Sequence, residues 1–170
     1  MKLFHVSEEE NIEEFIPRYS DSTKEPVVWA LAEVKLANYL LPRNCPRVCF
    51  SVNNATFKED IQRFFGLLKQ VVAIESCWYK KAIATTFYLY EMPRNAFTLF
   101  DTVAGYYVAN SVIVPITRDV VKQPIKAILK RDIEIRILSS LWQLHDEIVN
   151  SSLDFSAIRM KNARPRNKII

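Results

Sequence analysis

The most chemically informative stretch of the chain joins an aromatic-bearing helix to two arginines held in a proline-rich turn. In Tyr39-Leu-Leu-Pro42-Arg43-Asn44-Cys45-Pro46-Arg47 the prolines fix φ and restrict the residues before them, so the turn is stiff. A planar guanidinium grips phosphate or carboxylate through two parallel bonds, and Arg43 and Arg47 are placed to do so. The plainer alternative pairs them with Glu33 or with the acidic N-terminal region. His5 shares one face of an N-terminal strand with Ser7. An imidazole there can orient a sugar hydroxyl or move a proton near neutral pH. It can equally be a satisfied structural histidine. Glu75-Ser-Cys-Trp78 opens a helix straight after an apolar strand, where sheet folds place ligands. Glu75 can also be a carboxylate at a helix start, and Trp78 a core residue. Adjacent Tyr106 and Tyr107 point to opposite faces of a strand, one toward the core and the other free to stack on a planar ligand. Trp29 and Tyr39 flank the helix before the proline turn and join this aromatic set. Glu134 and Arg136 lie on the polar side of an alternating strand, as ligand groups or as cross-strand partners. His145 sits beside Asp146 and Glu147 on a surface-like helix position.

What is missing narrows the chemistry. Gly66 and Gly105 are the only glycines. Loops that cradle phosphate need glycine for close backbone approach, so a Rossmann dinucleotide fold and a P-loop are both disfavoured. The nucleophile elbow Gly-x-Ser-x-Gly is absent. Cys45, Cys49 and Cys77 lack Cys-x-x-Cys spacing, and only two histidines accompany them. No metal is expected, and the thiols read as buried structural groups of a reducing compartment. Nothing marks one cysteine as activated.

Net charge is +4, unevenly spread. Glu8, Glu9, Glu10, Glu13 and Glu14 cluster near the N-terminus, whereas Arg159, Lys161, Arg164, Arg166 and Lys168 follow the last acid, Asp154. Such an end can meet nucleic acid or an acidic partner, but the interleaved aromatics of an RNA-binding sheet are lacking, and nucleic acid is not expected. No stretch approaches the roughly 18 apolar residues of a membrane span. The N-terminus lacks the apolar core of a signal peptide, so a cytoplasmic protein is expected.

The elements that must position these groups are short and mixed. Alternation predicts strands over 2–7 and 133–137, and apolar or β-branched runs predict strands over 27–31, 48–52, 71–74, 86–90, 97–100 and 105–114. Residues 8–15 read as a helical or turn segment, and 18–26 as a polar loop. Helices are predicted around Leu36–Leu40, from Thr56 as N-cap to Phe65, over 75–84, from Pro124 in a first turn, and over 141–149. With 49% hydrophobic residues the chain can build a real core. Its 170 residues suit one α+β domain over 1–158, with a mixed or largely antiparallel sheet flanked by helices, and a loose basic tail over 159–170.

Leu-Phe-His-Val-Ser, Tyr-Leu-Leu-Pro-Arg-Asn-Cys-Pro-Arg-Val, Ala-Gly-Tyr-Tyr-Val and Ile-Arg-Met-Lys-Asn-Ala resemble, over most of the chain, an uncharacterised bacterial family of about this length. A fainter resemblance, in an opening strand with a histidine, a Trp/Tyr-bearing strand–helix step and a late strand with Glu, is to the ADP-ribosyltransferase and RNA 2′-phosphotransferase fold. That resemblance implies NAD as cofactor, His5 on its ribose, Tyr39 or Tyr106 against nicotinamide, and Glu134 as the late-strand carboxylate. No Glu-x-Glu pair accompanies it. Two functions follow as expectations. One is a pocket for a phosphorylated or nucleotide-like ligand, with transferase-like use of His5, Glu75 and Glu134 and binding by Ser7, Trp29, Tyr39, Arg43, Arg47, Trp78 and Tyr106. The other is a non-enzymatic interaction protein working through its charged ends, for which the aromatic content admits a homodimer.

Overall fold

Strict alternation and β-branched runs build strands that can each bury one face, and two sheets result. A computed structural model describes residues 1–166. It is α+β and divides into two compact units, each made of two separate stretches of chain: Met1–Leu40 with Thr86–Lys122, and Leu41–Thr85 with Gln123 onward. No linker marks the division, because the chain passes between the units three times.

The first unit holds a seven-stranded sheet. Its strands are β1 (Leu3–Ser7), β2 (Arg18–Ser20), β3 (Glu25–Ala32), β6 (Phe87–Met92), β7 (Thr98–Asp101), β8 (Tyr106–Ala109) and β9 (Thr117–Val121), all paired antiparallel. The order is β7-β8-β3-β1-β6-β9, with β2 added along β3. One face is a core of Leu3, Phe15, Val28, Ala30, Ala32, Tyr90, Met92, Tyr107 and Ala109. Tyr90 is 1% exposed, and its hydroxyl cannot go unanswered at that depth. It donates to the Glu9 and Glu10 carbonyls and accepts from the Ile12 amide, which ties down the segment before β2.

The second unit holds a four-stranded sheet, order β10-β5-β4-β11. Here β4 is Arg47–Ser51, β5 Gln70–Glu75, β10 Glu134–Leu138 and β11 Asp154–Ile158. The β5–β10 pair is parallel and the others antiparallel. The four α-helices among the described residues belong to this unit: α1 (Lys58–Phe64), α2 (Tyr79–Ala84), α3 (Pro124–Leu129) and α4 (Trp142–Val149). Val48, Phe50, Val71 and Ala73 on one sheet face pack with Phe64 of α1 and Leu144 and Ile148 of α4. Among the described residues no helix is long and apolar enough to cross a membrane.

Several boundaries differ from the sequence reading, each for a local reason. The polar segment 18–26 contains β2 and the start of β3. The helix before the proline turn is a 3-10 helix over Glu33–Tyr39. The long strand over 105–114 stops at Ala109, and beyond it Ile113 makes a single bridge to Phe15. Thr56 does not cap α1; its hydroxyl is used in a turn with Asn53, and Phe57 stands at the cap.

Gly105 enters β8 with φ +69°, and a Cβ built there meets Lys35 Cγ at 2.8 Å. Gly105→Ala should therefore cost about 1–2 kcal/mol in left-handed backbone strain alone. A urea-unfolding midpoint equal to wild type would refute this account of the turn.

Candidate functional site

In the first unit, β3, β7, β8 and the 3-10 helix together assemble a cluster of aromatic rings. Leu31 pairs with Tyr106 across β3 and β8, and β7 lies beyond β8. The register brings Trp29, Tyr106 and Phe100 together on one face. Ring centroids are 5.3 Å apart for Trp29–Tyr106 and 5.2 Å for Trp29–Phe100, both edge to face. Tyr39 reaches in from the 3-10 helix, 5.8 Å from Tyr106, and the two hydroxyls are hydrogen-bonded. No pair is stacked face to face, and Trp29, Tyr39 and Tyr106 are all half-buried. Lys35, from the same 3-10 helix as Tyr39, lays its stem over Gly105.

His5 belongs to the opposite face of that sheet. It pairs directly with Tyr90, and its ring lies 4.7 Å from Phe15, both core residues. Its Nδ1 is 2.8 Å from the Trp29 carbonyl. A carbonyl only accepts, so Nδ1 carries the proton. The Ser7 hydroxyl accepts from the Glu9 amide and shapes the turn after β1.

In the second unit, the proline turn points its two arginines differently. Arg43 is exposed, whereas Arg47 is 3% exposed. Arg47 Nη1 donates to the Pro42 and Cys45 carbonyls at 3.3 and 3.1 Å, so its fork staples the turn. Burial lowers its guanidinium from the ordinary value and pushes the Cys45 thiol up to about 12. Glu134 and Arg136 are partners on β10, at 2.8 Å, and Arg136 also donates to the Phe64 carbonyl. Trp78 is half-buried, with the Lys81 ammonium over its ring at 5.6 Å.

Glu75 ends the parallel strand β5 and has no exposure at all. Both its oxygens accept from the Arg164 amide at 3.1 Å, and one accepts from the Leu141 amide, at 3.4 Å, at the start of α4. The Cys77 thiol lies 3.9 Å away. The C-terminal segment that reaches Glu75 is docked further along. Trp142 Nε1 donates to the Arg164 carbonyl at 2.5 Å. The Arg166 guanidinium lies 4.2 Å over the Trp142 ring and makes a two-pronged pair with Asp146 at 2.6 and 3.0 Å. The basic end read as a tail over 159–170 is thus held in place through Arg166, and residues 167–170 lie outside the described ones. Arg166, and then His145, hold the Asp146 carboxyl at about 2.

A family model described as a family of unknown function matches residues 4–163. The chain belongs to DUF6886. No curated protein and no solved structure matches it. The DUF6886 match takes in every site residue named from the sequence. Within this DUF6886 chain, Trp29, Tyr39 and Tyr106 are brought together in the first unit, which also contains His5 and Ser7. Arg43, Arg47, Glu75, Trp78 and Glu134 belong to the second unit.

Sequence reasoning missed Phe100, Lys35 and the Trp142–Asp146 surface. Phe100 and Lys35 carry no motif and depend on register. The spacing of Trp142 and Asp146, four apart on a predicted helix, was the available signal for a shared face.

Glu75→Ala would leave the Leu141 amide of a buried residue without its acceptor, at a cost of about 1–3 kcal/mol. Amide exchange at Leu141 and Arg164 should quicken together; an unchanged rate at Arg164 would mean that Glu75 does not hold the segment. The Asp146 carboxyl, depressed from its ordinary 3.8 to about 2, stabilises the docked segment fully above pH 4. That contribution fades as pH falls through about 2. In a carboxyl NMR titration Arg166→Ala should bring the Asp146 midpoint back up, and an unmoved midpoint would refute the pair.

Proposed function

We propose that the first unit binds a planar, phosphorylated ligand of nucleotide type on the cluster formed by Trp29, Tyr39, Phe100 and Tyr106. The convergence of three separately named aromatics on one half-buried face supports this reading. Rings that meet edge to face leave π-surface for a flat ligand, and the tyrosine hydroxyl pair supplies polar atoms that fix its orientation. Lys35 is the charge for a phosphate. Cytoplasmic residence fits such a ligand and agrees with three free thiols.

Binding, rather than transfer, is the core of the proposal. His5 faces the other side of the sheet from Trp29 and Tyr106, and Glu75 and Glu134 have their oxygens engaged within the second unit. A second reading, an interaction protein working through its charged ends, is favoured by the docking of Arg164 and Arg166.

The test is a titration of AMP, NAD and nicotinamide mononucleotide followed by thermal unfolding, since a ligand of the folded state raises the midpoint by mass action. Base–aromatic stacking is worth about 1–3 kcal/mol, so Tyr106→Ala should weaken binding by about 5- to 150-fold. Lys35→Ala should weaken phosphorylated ligands selectively, and His5→Ala should leave affinity unchanged. A midpoint indifferent to all three ligands, or a shift that survives Tyr106→Ala, would refute the site.

A further inference from the structure

The contacts of residues 164–166 on the second unit are of three different kinds, and together they read a peptide. Glu75 accepts the main-chain amide of Arg164 on both carboxylate oxygens at 3.1 Å. Trp142 Nε1 donates to the main-chain carbonyl of the same residue at 2.5 Å. Two residues on, the Arg166 guanidinium is stacked over the Trp142 ring at 4.2 Å and forked onto Asp146 at 2.6 and 3.0 Å. One backbone unit is fixed by its donor and its acceptor, and one cationic side chain is selected by a π-face and a carboxylate at a set offset. Pro165 between them restricts the backbone and lowers the ordering cost of the segment.

The receiving groups are themselves held by other contacts. Glu75 is the last residue of β5, anchored by the parallel β5–β10 ladder, and its second amide partner is Leu141 at the head of α4. Trp142 and Asp146 are four apart on α4, whose Leu144 and Ile148 are buried in the core. The Trp142 ring is also 5.4 Å from His145, whose Nδ1 is 2.9 Å from Asp146. The docked side chains, by contrast, are exposed: Arg164, Pro165 and Arg166 are all on the surface. The receiving groups are anchored in the sheet and core while the docked side chains lie at the surface, the arrangement of an exchangeable site.

We propose that Glu75, Trp142 and Asp146 form a recognition site for an extended, arginine-bearing segment of another protein, and that residues 164–166 fill it in cis. The partner's segment presents an arginine two residues after a main-chain amide and carbonyl, as Arg164-Pro165-Arg166 does. A tethered segment competes at an effective concentration of order millimolar, so a partner gains access when the tether's contacts are weakened.

The experiment uses the full chain. Arg164→Pro with Arg166→Ala removes the amide donor and the guanidinium of the resident segment and leaves the site untouched. A synthetic peptide of sequence Met-Lys-Asn-Ala-Arg-Pro-Arg should bind this variant at least tenfold more tightly than wild type, by calorimetry. It should also move the Trp142 indole N–H resonance. The same peptide ending in Ala should bind at least tenfold more weakly, and adding Asp146→Asn to the variant should cost a similar factor. If the double variant fails to fold, Arg166→Ala alone carries the test, with faster amide exchange at Arg164 expected beside peptide binding. A folded variant that ignores the peptide overturns the proposal, as does equal binding of the Arg- and Ala-ended peptides. A wild-type chain that dimerises with concentration, and stops doing so in Arg166→Ala, would assign the site to a second copy and overturn a foreign segment as its occupant.

Discussion

A carboxylate with no exposure to water must be answered by donors, since the cost of burying it alone is several kcal/mol. Glu75 is in that position at the end of β5, and the donors that answer it come from two places far apart in sequence, the head of α4 and the C-terminal segment. The need to satisfy one group thereby fixes where α4 begins relative to the parallel strands and where the chain must return after β11. Loss of the carboxylate would relax both at once. The same group explains why the carboxyl end of the parallel pair, the natural ligand position in such sheets, carries a stretch of the protein's own main chain.

The first unit solves a different problem. Its sheet has one face filled by a core that includes Tyr90 and Tyr107, with His5 drawn into it by Phe15. The other face carries the aromatic cluster, which is held together by edge-to-face ring contacts and a hydroxyl pair. Gly105 is the hinge of this arrangement. Its left-handed backbone turns the chain into β8, and its missing side chain leaves room for the stem of Lys35.

Most strands with a buried face were legible from alternation or apolar runs, β1, β4, β5 and β6 among them, and Pro124 announced α3 correctly. The strands that escaped lie at sheet margins. β9, Thr117-Arg-Asp-Val-Val121, is exposed along four of its five residues, and β11 alternates only weakly across the edge of the second sheet. A strand that buries little leaves little pattern to read. The three aromatics could be named as candidates from type alone, but their meeting depends on pairing Leu31 with Tyr106, a register set by residues 75 apart. Glu75 was legible as a special position, whereas its partners were not, because main-chain amides carry no sequence signal. The division into two units was invisible for a related reason. Each unit is assembled from two stretches, so no composition shift or linker falls between them.

The two arginines of Pro42–Arg47 and the two of Arg164–Arg166 show how context decides what a guanidinium does. Arg47 is desolvated, and its Nη1 is spent on two carbonyls of its own turn, so an anion recruited there would have to displace bonds that hold the turn closed. Its role is to brace the entry to β4. Arg166 lies at the surface, stacked on Trp142 and paired with Asp146 but not enclosed. A guanidinium that staples a buried turn is structural whatever motif surrounds it. One that rests on a tryptophan and a carboxylate at the surface holds its own segment onto the helix, and the difference lies in whether the group is enclosed.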